Sequence, residues 1–114
     1  MIIKRLADNL FANMAGHENI KKQIVLGPDD GSGEIVLRYF KLAPGGSSPY
    51  HHHDFPHLVK VETGKGIVID PDGNEHPLET GDYVYIHDNE LHSLENRSRE
   101  SFEFICVVPE REEG

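Results

Sequence analysis

The chain has 114 residues, a length typical of one domain that buries a hydrophobic core without disulfides to hold it. Its 11 Lys and Arg against 20 Asp and Glu give a formal net charge of −9, which argues against nucleic acid or an anionic membrane surface as a partner. The one cysteine excludes an intrachain disulfide, and no apolar run is long enough for a secretory leader or a membrane span, so we expect a cytoplasmic protein that forms one domain over residues 1–114.

The first half of the chain predicts short strands separated by turns. Residues 1–5 are strand-like, and residues 6–16 are expected to form either a helical turn or a loop. Residues 20–26 predict a strand that ends at the Gly-, Pro- and Asp-rich turn of residues 27–33. Residues 34–43 predict a longer strand whose two faces are both largely apolar, which indicates cover on both sides.

The second half of the chain continues the same pattern. Strands are predicted over residues 66–70, 83–86, 91–96 and 101–109. The stretch Asp70-Pro71-Asp72-Gly73 has the residues of a type I turn and indicates a hairpin, while residues 110–114 are expected to be a loose tail. Short strands, regular turn signals and the lack of an amphipathic helical pattern predict an all-β antiparallel sandwich or barrel.

A histidine-rich segment lies between these two halves. Four of the chain's eight histidines fall within residues 51–57. Because side chains alternate along an extended strand, His51, His53 and His57 share one face and His52 points to the other. The proline that precedes His57 breaks strand continuity, so the alignment of His51 with His53 is the firmer part of this prediction.

Three imidazoles on an inward face predict part of a metal site. An unpaired buried polar ring costs free energy, and divalent ions such as Zn, Cu, Fe or Ni bind imidazole well. A solvated histidine cluster stays open as an alternative. A purification tag does not fit, because only three histidines are contiguous and they lie in the middle of the chain.

Further candidate pocket residues lie on the predicted strands. Arg38 either faces inward beside Phe40, where it could pair with an anionic substrate, or faces solvent. Phe104 and Cys106 are expected to line the barrel, with plain core packing as the alternative to a chemical role. Phe55 either gates the pocket or packs against it. The histidines that lie in turn-like segments, and are predicted to be exposed, are His17, His76 and His87.

Two motifs in the chain resemble those of the cupin family. The first cupin motif is Gly, five residues, His-x-His, three or four residues, Glu, six residues and Gly. The second is Gly, five residues, Pro, one residue, Gly, two residues, His, three residues and Asn. The positions that match the first are Gly45, His51, His53 and Gly64, with His57 where the family usually has glutamate. The positions that match the second are Gly81, His92 and Asn96, with His87 and Asn89 in place of the usual Pro and Gly.

The resemblance implies a cupin-type double-stranded β-helix, that is, a jelly-roll barrel. The metal ligands that it implies are His51, His53, His57 and His92, as in small single-domain cupins with a four-histidine manganese site. Such proteins are often dimers in which an N-terminal strand joins the neighbour's sheet, so residues 1–5 are expected to be exchanged in a homodimer. The expected cofactor is a divalent ion, Mn or Fe first, with Ni, Zn or Cu as alternatives. Asn96 is expected to support its strand and not to bind the metal.

The expected function is an oxygenase-type reaction on a small organic molecule. Without the usual glutamate, four neutral imidazoles leave the full charge of the ion uncompensated. Two alternatives stay open: a protein that binds or senses a small anion through its metal without catalysis, and a closed structural site, because four histidines can saturate tetrahedral zinc. No side chain stands out as a general base, which argues against an isomerase or a hydrolase.

Overall fold

The computed structural model describes residues 1–5, 11–13 and 19–109, and it shows an all-β jelly-roll barrel of two antiparallel sheets. Its strands are β1 (Ala12–Asn13), β2 (Ile20–Leu26), β3 (Ile35–Leu42), β4 (His57–Thr63), β5 (Lys65–Ile69), β6 (Glu75–Glu79), β7 (Tyr83–Ile86), β8 (Ser93–Glu95) and β9 (Phe102–Pro109), and a short 3-10 helix covers Pro28–Asp30. One sheet has the strand order β1-β2-β3-β9-β4-β7 and the other has the order β6-β5-β8. The predicted fold class is confirmed.

The core lies between the two sheets and follows from side-chain alternation. In β3 and in β9 every second residue is buried, and the register places Phe40 opposite Phe104 and Leu42 opposite Phe102. The buried residues of both strands therefore face the same side of the sheet. The second sheet contributes Val68 from β5, together with apolar residues of β6 and β8.

The histidine segment is attached to the second sheet. Isolated bridges pair Ser47 with Glu95 and His51 with His92, so the chain from residue 47 to residue 51 runs beside β8. This pairing carries the segment across the end of the barrel, towards the start of β4. The expected strands of residues 66–70, 83–86, 91–96 and 101–109 are all present, with ends that differ by one or two residues.

Asn96 supports the strand ends at the closing edge of the barrel, as predicted. The residue is 1% exposed, and its side-chain amide donates to the carbonyls of Leu42 and Glu100 at 2.8 and 2.7 Å. Its Oδ1 atom accepts from the backbone N–H and the hydroxyl of Ser98. Four hydrogen bonds therefore use the whole amide, and none of its polar atoms is left for the histidine cluster.

Two expectations need correction or completion. Residues 1–5 form no strand, because none of the strands that the structure describes pairs with their backbone; Lys4 instead donates to the Val25 carbonyl and pairs with Asp30 at 2.9 Å. Their exchange with a partner chain stays a prediction. The outer face of β3 is only half covered, with Ile35 62% exposed and Tyr39 packed edge-on against Phe11.

Some expectations concern residues that the structure does not describe. The tail of residues 110–114, His17 and most of the predicted turn or loop of residues 6–16 lie outside the described residues. Within the described part of the chain, no helix has the length and hydrophobicity needed to cross a lipid bilayer.

Candidate metal centre

Backbone pairing brings the histidines of two separate segments together. His51 and His92 exchange both backbone hydrogen bonds, with N···O distances of 3.1 and 3.0 Å. The backbone N–H of Asn89, in the turn before β8, donates to the carbonyl of His53. The β4 strand begins at His57, just after the loop that follows. The break at the proline therefore does not separate the rings, because the loop returns His57 to the cluster.

The four imidazole rings form one cluster. The centroid distances are 4.2 Å for His51–His53, 5.0 Å for His57–His92, 5.2 Å for His53–His57, 5.3 Å for His51–His92 and 6.1 Å for His53–His92. The Nε2 atoms of His51 and His53 lie 3.2 Å apart. Two nitrogens that bind one ion at about 2.1 Å lie about 3.0 to 3.4 Å from each other in octahedral or tetrahedral geometry. The spacing of this pair therefore suits two ligands of the same ion.

The hydrogen bonding of the His92 and His57 rings is consistent with a metal site. The Nδ1 atom of His92 lies 2.8 Å from the Glu90 carbonyl oxygen. Because a carbonyl only accepts, Nδ1 carries the hydrogen and the Nε2 lone pair of His92 stays available to a metal. The Nδ1 atom of His57 is buried and has no hydrogen-bond partner among the described residues. An orphaned polar atom of this kind costs free energy unless something else binds the ring.

Burial favours the neutral form of three of the four rings, those of His53, His57 and His92. Desolvation, followed by the charges of His92 and Arg38, lowers the pKa of His57 to about 3. Desolvation is also the main cause that lowers the pKa of His53 and the pKa of His92. Neutral imidazole is the form that binds metals, so these rings need no deprotonation step before they bind one.

The ring orientations do not close around one point as they stand. In the part of the chain that the structure describes, no three His, Cys, Asp or Glu side chains are placed so that they could hold one metal ion. The donor set therefore fits a divalent ion in ligand type and proximity, whereas shared coordination would require the imidazoles to rotate. The assignment of His51, His53, His57 and His92 as metal ligands stays a prediction.

A small cavity of about 100 Å³ opens beside the rings. Its walls include apolar side chains from five strands, β3, β4, β7, β8 and β9, and no Asp or Glu lines it among the described residues. Two larger depressions, of about 460 and 590 Å³, lie on the surface around Lys65 and Glu79. We place the site at the smaller cavity, because the histidines, a buried arginine and the thiol meet there.

The predicted pocket residues lie at this cavity. Arg38 faces inward and is 5% exposed, with its Nη2 atom 3.2 Å from the Cys106 sulfur. Phe104 and Cys106 line the cavity and also belong to the hydrophobic core, so both of their expected roles remain compatible with their positions. Phe55 is 5% exposed and stacks on His53 with a centroid distance of 4.7 Å and an interplanar angle of 16°. This position favours packing over gating.

The other histidines that the structure describes lie outside the cluster. His52 is exposed, as its opposite parity predicted, and so are His76 and His87. Lys22 also lines the cavity, and the sequence reasoning missed it. Its position in β2 shares parity with the fully buried Ile20, and that alternation is the signal that could have identified it.

Comparison with known proteins gives matches to one family and to several proteins. The family model described as a cupin domain matches residues 38–108. The HTH-type transcriptional activator RhaS of Salmonella arizonae is 29% identical over 98 residues, which cover 73% of this chain and 35% of that protein. The oxalate-binding protein of Thermotoga maritima is 32% identical over 69 residues, which cover 60% of this chain and 56% of that protein.

Solved structures extend the comparison to the fold. The polyketide cyclase RemF from Streptomyces resistomycificus matches with a TM-score of 0.85 and 25% identity, over 95% of this chain and 80% of that one. The sequence matches cover less of the relatives' length: the chain spans about a third of the transcriptional activator and a little over half of the oxalate-binding protein.

Proposed function

The chain belongs to the cupin domain family, and on that premise we propose that it is a metal-dependent enzyme of the oxygenase type that acts on a small organic molecule. The ion would be held by His51, His53, His57 and His92, with Mn or Fe as the expected metal. The observation that carries the proposal is the convergence of four imidazoles beside a cavity that no carboxylate lines in the described residues.

The ligand set supports this choice of chemistry. Imidazole nitrogens suit redox-active divalent ions, and an octahedral ion held by four of them has two positions left for substrate or dioxygen. A bound metal of this kind would supply Lewis acidity and redox chemistry to molecules in the cavity. The proposal requires the imidazoles to rotate from their present orientations; His51 and His53 are partly buried, and His57 and His92 are each 5% exposed.

The residues of the chain would bind and shelter the substrate. The apolar walls of the cavity exclude water from the reacting groups. The Glu90 carbonyl holds the His92 ring in one tautomer, and Phe55 stacks on the His53 ring from outside the cavity lining. No cavity-lining Asp or Glu is described that could act as a general base, so proton transfer by the protein is not the basis of the proposed reaction.

Metal binding and oxygen consumption test this proposal directly. The purified protein is loaded with Fe(II) or Mn(II) without oxygen, and bound metal is measured by elemental analysis before oxygen uptake is followed with a panel of small organic acids and alcohols. We expect one ion per chain, loss of that ion in a His57→Ala, His92→Ala double variant, and full retention in His52→Ala, the matched control on the exposed face. Wild-type protein that retains no ion after loading would refute the proposal.

A second candidate function is metal-dependent binding of a small anion without turnover. One relative over 60% of the chain is an oxalate-binding protein, and the four-histidine set would leave the positive charge of the ion uncompensated. Thermal shifts with oxalate and other carboxylates, with and without a chelator, distinguish the two functions. Metal-dependent stabilisation without oxygen uptake favours binding. An ion whose spectrum no added ligand perturbs would indicate instead the closed structural site.

A further inference from the structure

One tight turn contacts candidate ligands from both histidine segments. The turn of residues 87–90 lies between β7 and β8, and two bonds close it: the N–H of Glu90 donates to the His87 carbonyl, and the N–H of His87 donates to the Oε1 atom of Glu90, each at 3.2 Å. The backbone N–H of Asn89 donates to the His53 carbonyl, and the Glu90 carbonyl accepts from Nδ1 of His92. Two adjacent residues of the turn therefore hold one histidine of each segment.

The backbone of Asn89 has an uncommon conformation that both contacts depend on. Its φ angle is 61°, in the left-handed region that residues with a Cβ atom rarely adopt and that asparagine tolerates better than most. The φ angle sets how the peptide group before a residue is oriented relative to those after it. An ordinary negative φ at this position would therefore turn the N–H of Asn89 away from His53 while the Glu90 carbonyl faces His92. The Asn89 side chain itself is exposed.

The two histidines that the turn holds are widely spaced within the cluster. The ring centroids of His53 and His92 lie 6.1 Å apart, against 5.0 Å for His57 and His92. One ion can bind both rings only if their segments stay close together, because each ligand nitrogen lies about 2.1 Å from a bound ion. Groups that orient ligands in advance reduce what metal binding has to order.

We propose that Asn89 is a positioning residue of the candidate metal centre. Its left-handed backbone holds the turn of residues 87–90 so that His53 and His92 stay within reach of one ion, and Asn89 itself does not contact that ion. The inference rests on the proposed function in one respect, namely that His53 and His92 bind a divalent ion. Affinity for the ion then depends on a residue that supplies no ligand.

Affinity for Mn(II), measured by calorimetry on the full chain, tests the proposal. Asn89→Gly leaves the left-handed conformation accessible and should bind Mn within about twofold of the wild type. Asn89→Val carries a β-branched side chain that opposes this conformation, so it should bind Mn about 5- to 30-fold more weakly. Asn89→Ala should lie between the two.

Asn19→Val is the matched control for backbone strain. Asn19 is the other non-glycine residue with a positive φ in the part of the chain that the structure describes, and its φ is also 61°. It lies just before β2, where its carbonyl accepts from the N–H of Ala43. Asn19→Val should lose stability in urea denaturation and keep wild-type affinity for Mn. Wild-type affinity in Asn89→Val, or equal losses of affinity in both valine variants, would overturn the proposal.

The His92 ring gives a second measurement that needs no metal. In the metal-free protein, nitrogen NMR of labelled histidines should show the hydrogen of His92 on Nδ1 in the wild type and in Asn19→Val. Asn89→Val should show a mixture of tautomers, because the Glu90 carbonyl is no longer held towards the ring. A wild-type His92 with its hydrogen on Nε2, or the same single tautomer in all three proteins, would contradict the positioning role.

The wild-type protein separates failure of this proposal from failure of the proposed function. Wild-type protein that binds no Mn refutes the metal-dependent function and this inference with it. Wild-type protein that binds Mn, with an Asn89→Val variant that binds it equally tightly, refutes only the positioning role. If Asn89→Val does not fold, Asn89→Ala provides the same comparison against Asn89→Gly.

Discussion

Acidification from pH 7.5 to 5.5 should destabilise the metal-free protein, with His57 as a main contributor. Burial lowers the pKa of His57 to about 3 in the folded chain, whereas an unfolded histidine titrates near about 6.5. Between these two values the unfolded chain binds a proton that the folded chain does not. The stability that depends on His57 is therefore complete above about pH 6.5 and is lost as the pH falls towards 3.

The two pKa values set the size of this loss. For His57 alone, the free energy of unfolding falls by about 1.4 kcal/mol between pH 7.5 and 5.5, and the result changes little for any folded pKa below about 4.5. His53 and His92, whose pKa values burial also lowers, add losses of the same sign. Carboxylates such as Asp70, whose pKa is lowered in the folded chain, stay ionised in both states across this window.

Urea denaturation of chelator-treated protein at the two pH values measures the effect. His57→Leu removes the buried ring, so its loss of stability between pH 7.5 and 5.5 should be smaller than that of the wild type by about 1.4 kcal/mol. His52→Asn, which changes an exposed histidine beside the cluster, should behave as the wild type. If the wild type and His57→Leu lose the same amount, burial does not hold His57 neutral and the reasoning is wrong.

Three further substitutions test other parts of the structure. Asn96→Ala should lower the free energy of unfolding by about 2–4 kcal/mol, because two carbonyls lose their donor, and a loss below about 1 kcal/mol in urea denaturation would contradict this role. Gly66→Ala places a Cβ atom 2.2 Å from the Phe102 ring and should cost about 1–3 kcal/mol; unchanged thermal stability would contradict that packing. Phe55→Leu should weaken metal binding about 2- to 10-fold in chelator competition, because the stack on His53 is lost, and wild-type affinity would show that the ring only fills space.

Much of the fold could be predicted from the sequence because strands and turns have local signals. The alternation of apolar residues in residues 101–109 gave the buried face of β9, and Asp70-Pro71-Asp72-Gly73 gave the turn between β5 and β6. Residues 1–5 were expected to form a strand for the same reason, yet no strand among the described residues pairs with them. A local signal indicates an extended backbone, but pairing depends on what lies beside it.

The site could be predicted only in part, because some of its features depend on neighbouring residues and others on contacts between distant segments. The parity of His51 and His53 is a property of one extended segment, and the exposure of His52 follows from it. The approach of His92 was inferred from family motifs, and the structure shows its physical basis in the backbone bridge to His51. The turn of the His57 ring into the cluster could not be read from parity, because the chain leaves the strand between the two positions.

The sequence by itself determined the fold class and the positions of most strands and turns, because alternation and turn chemistry act over a few residues. The full set of four histidines came from the resemblance to family motifs and not from alternation. Only the tertiary structure decided that Arg38 faces inward against Cys106, that Lys22 joins it, and that His57 is buried with an orphaned nitrogen. Those facts depend on which strands pack face to face across the barrel. Packing of this kind joins residues that are far apart in the chain, so no local pattern specifies it.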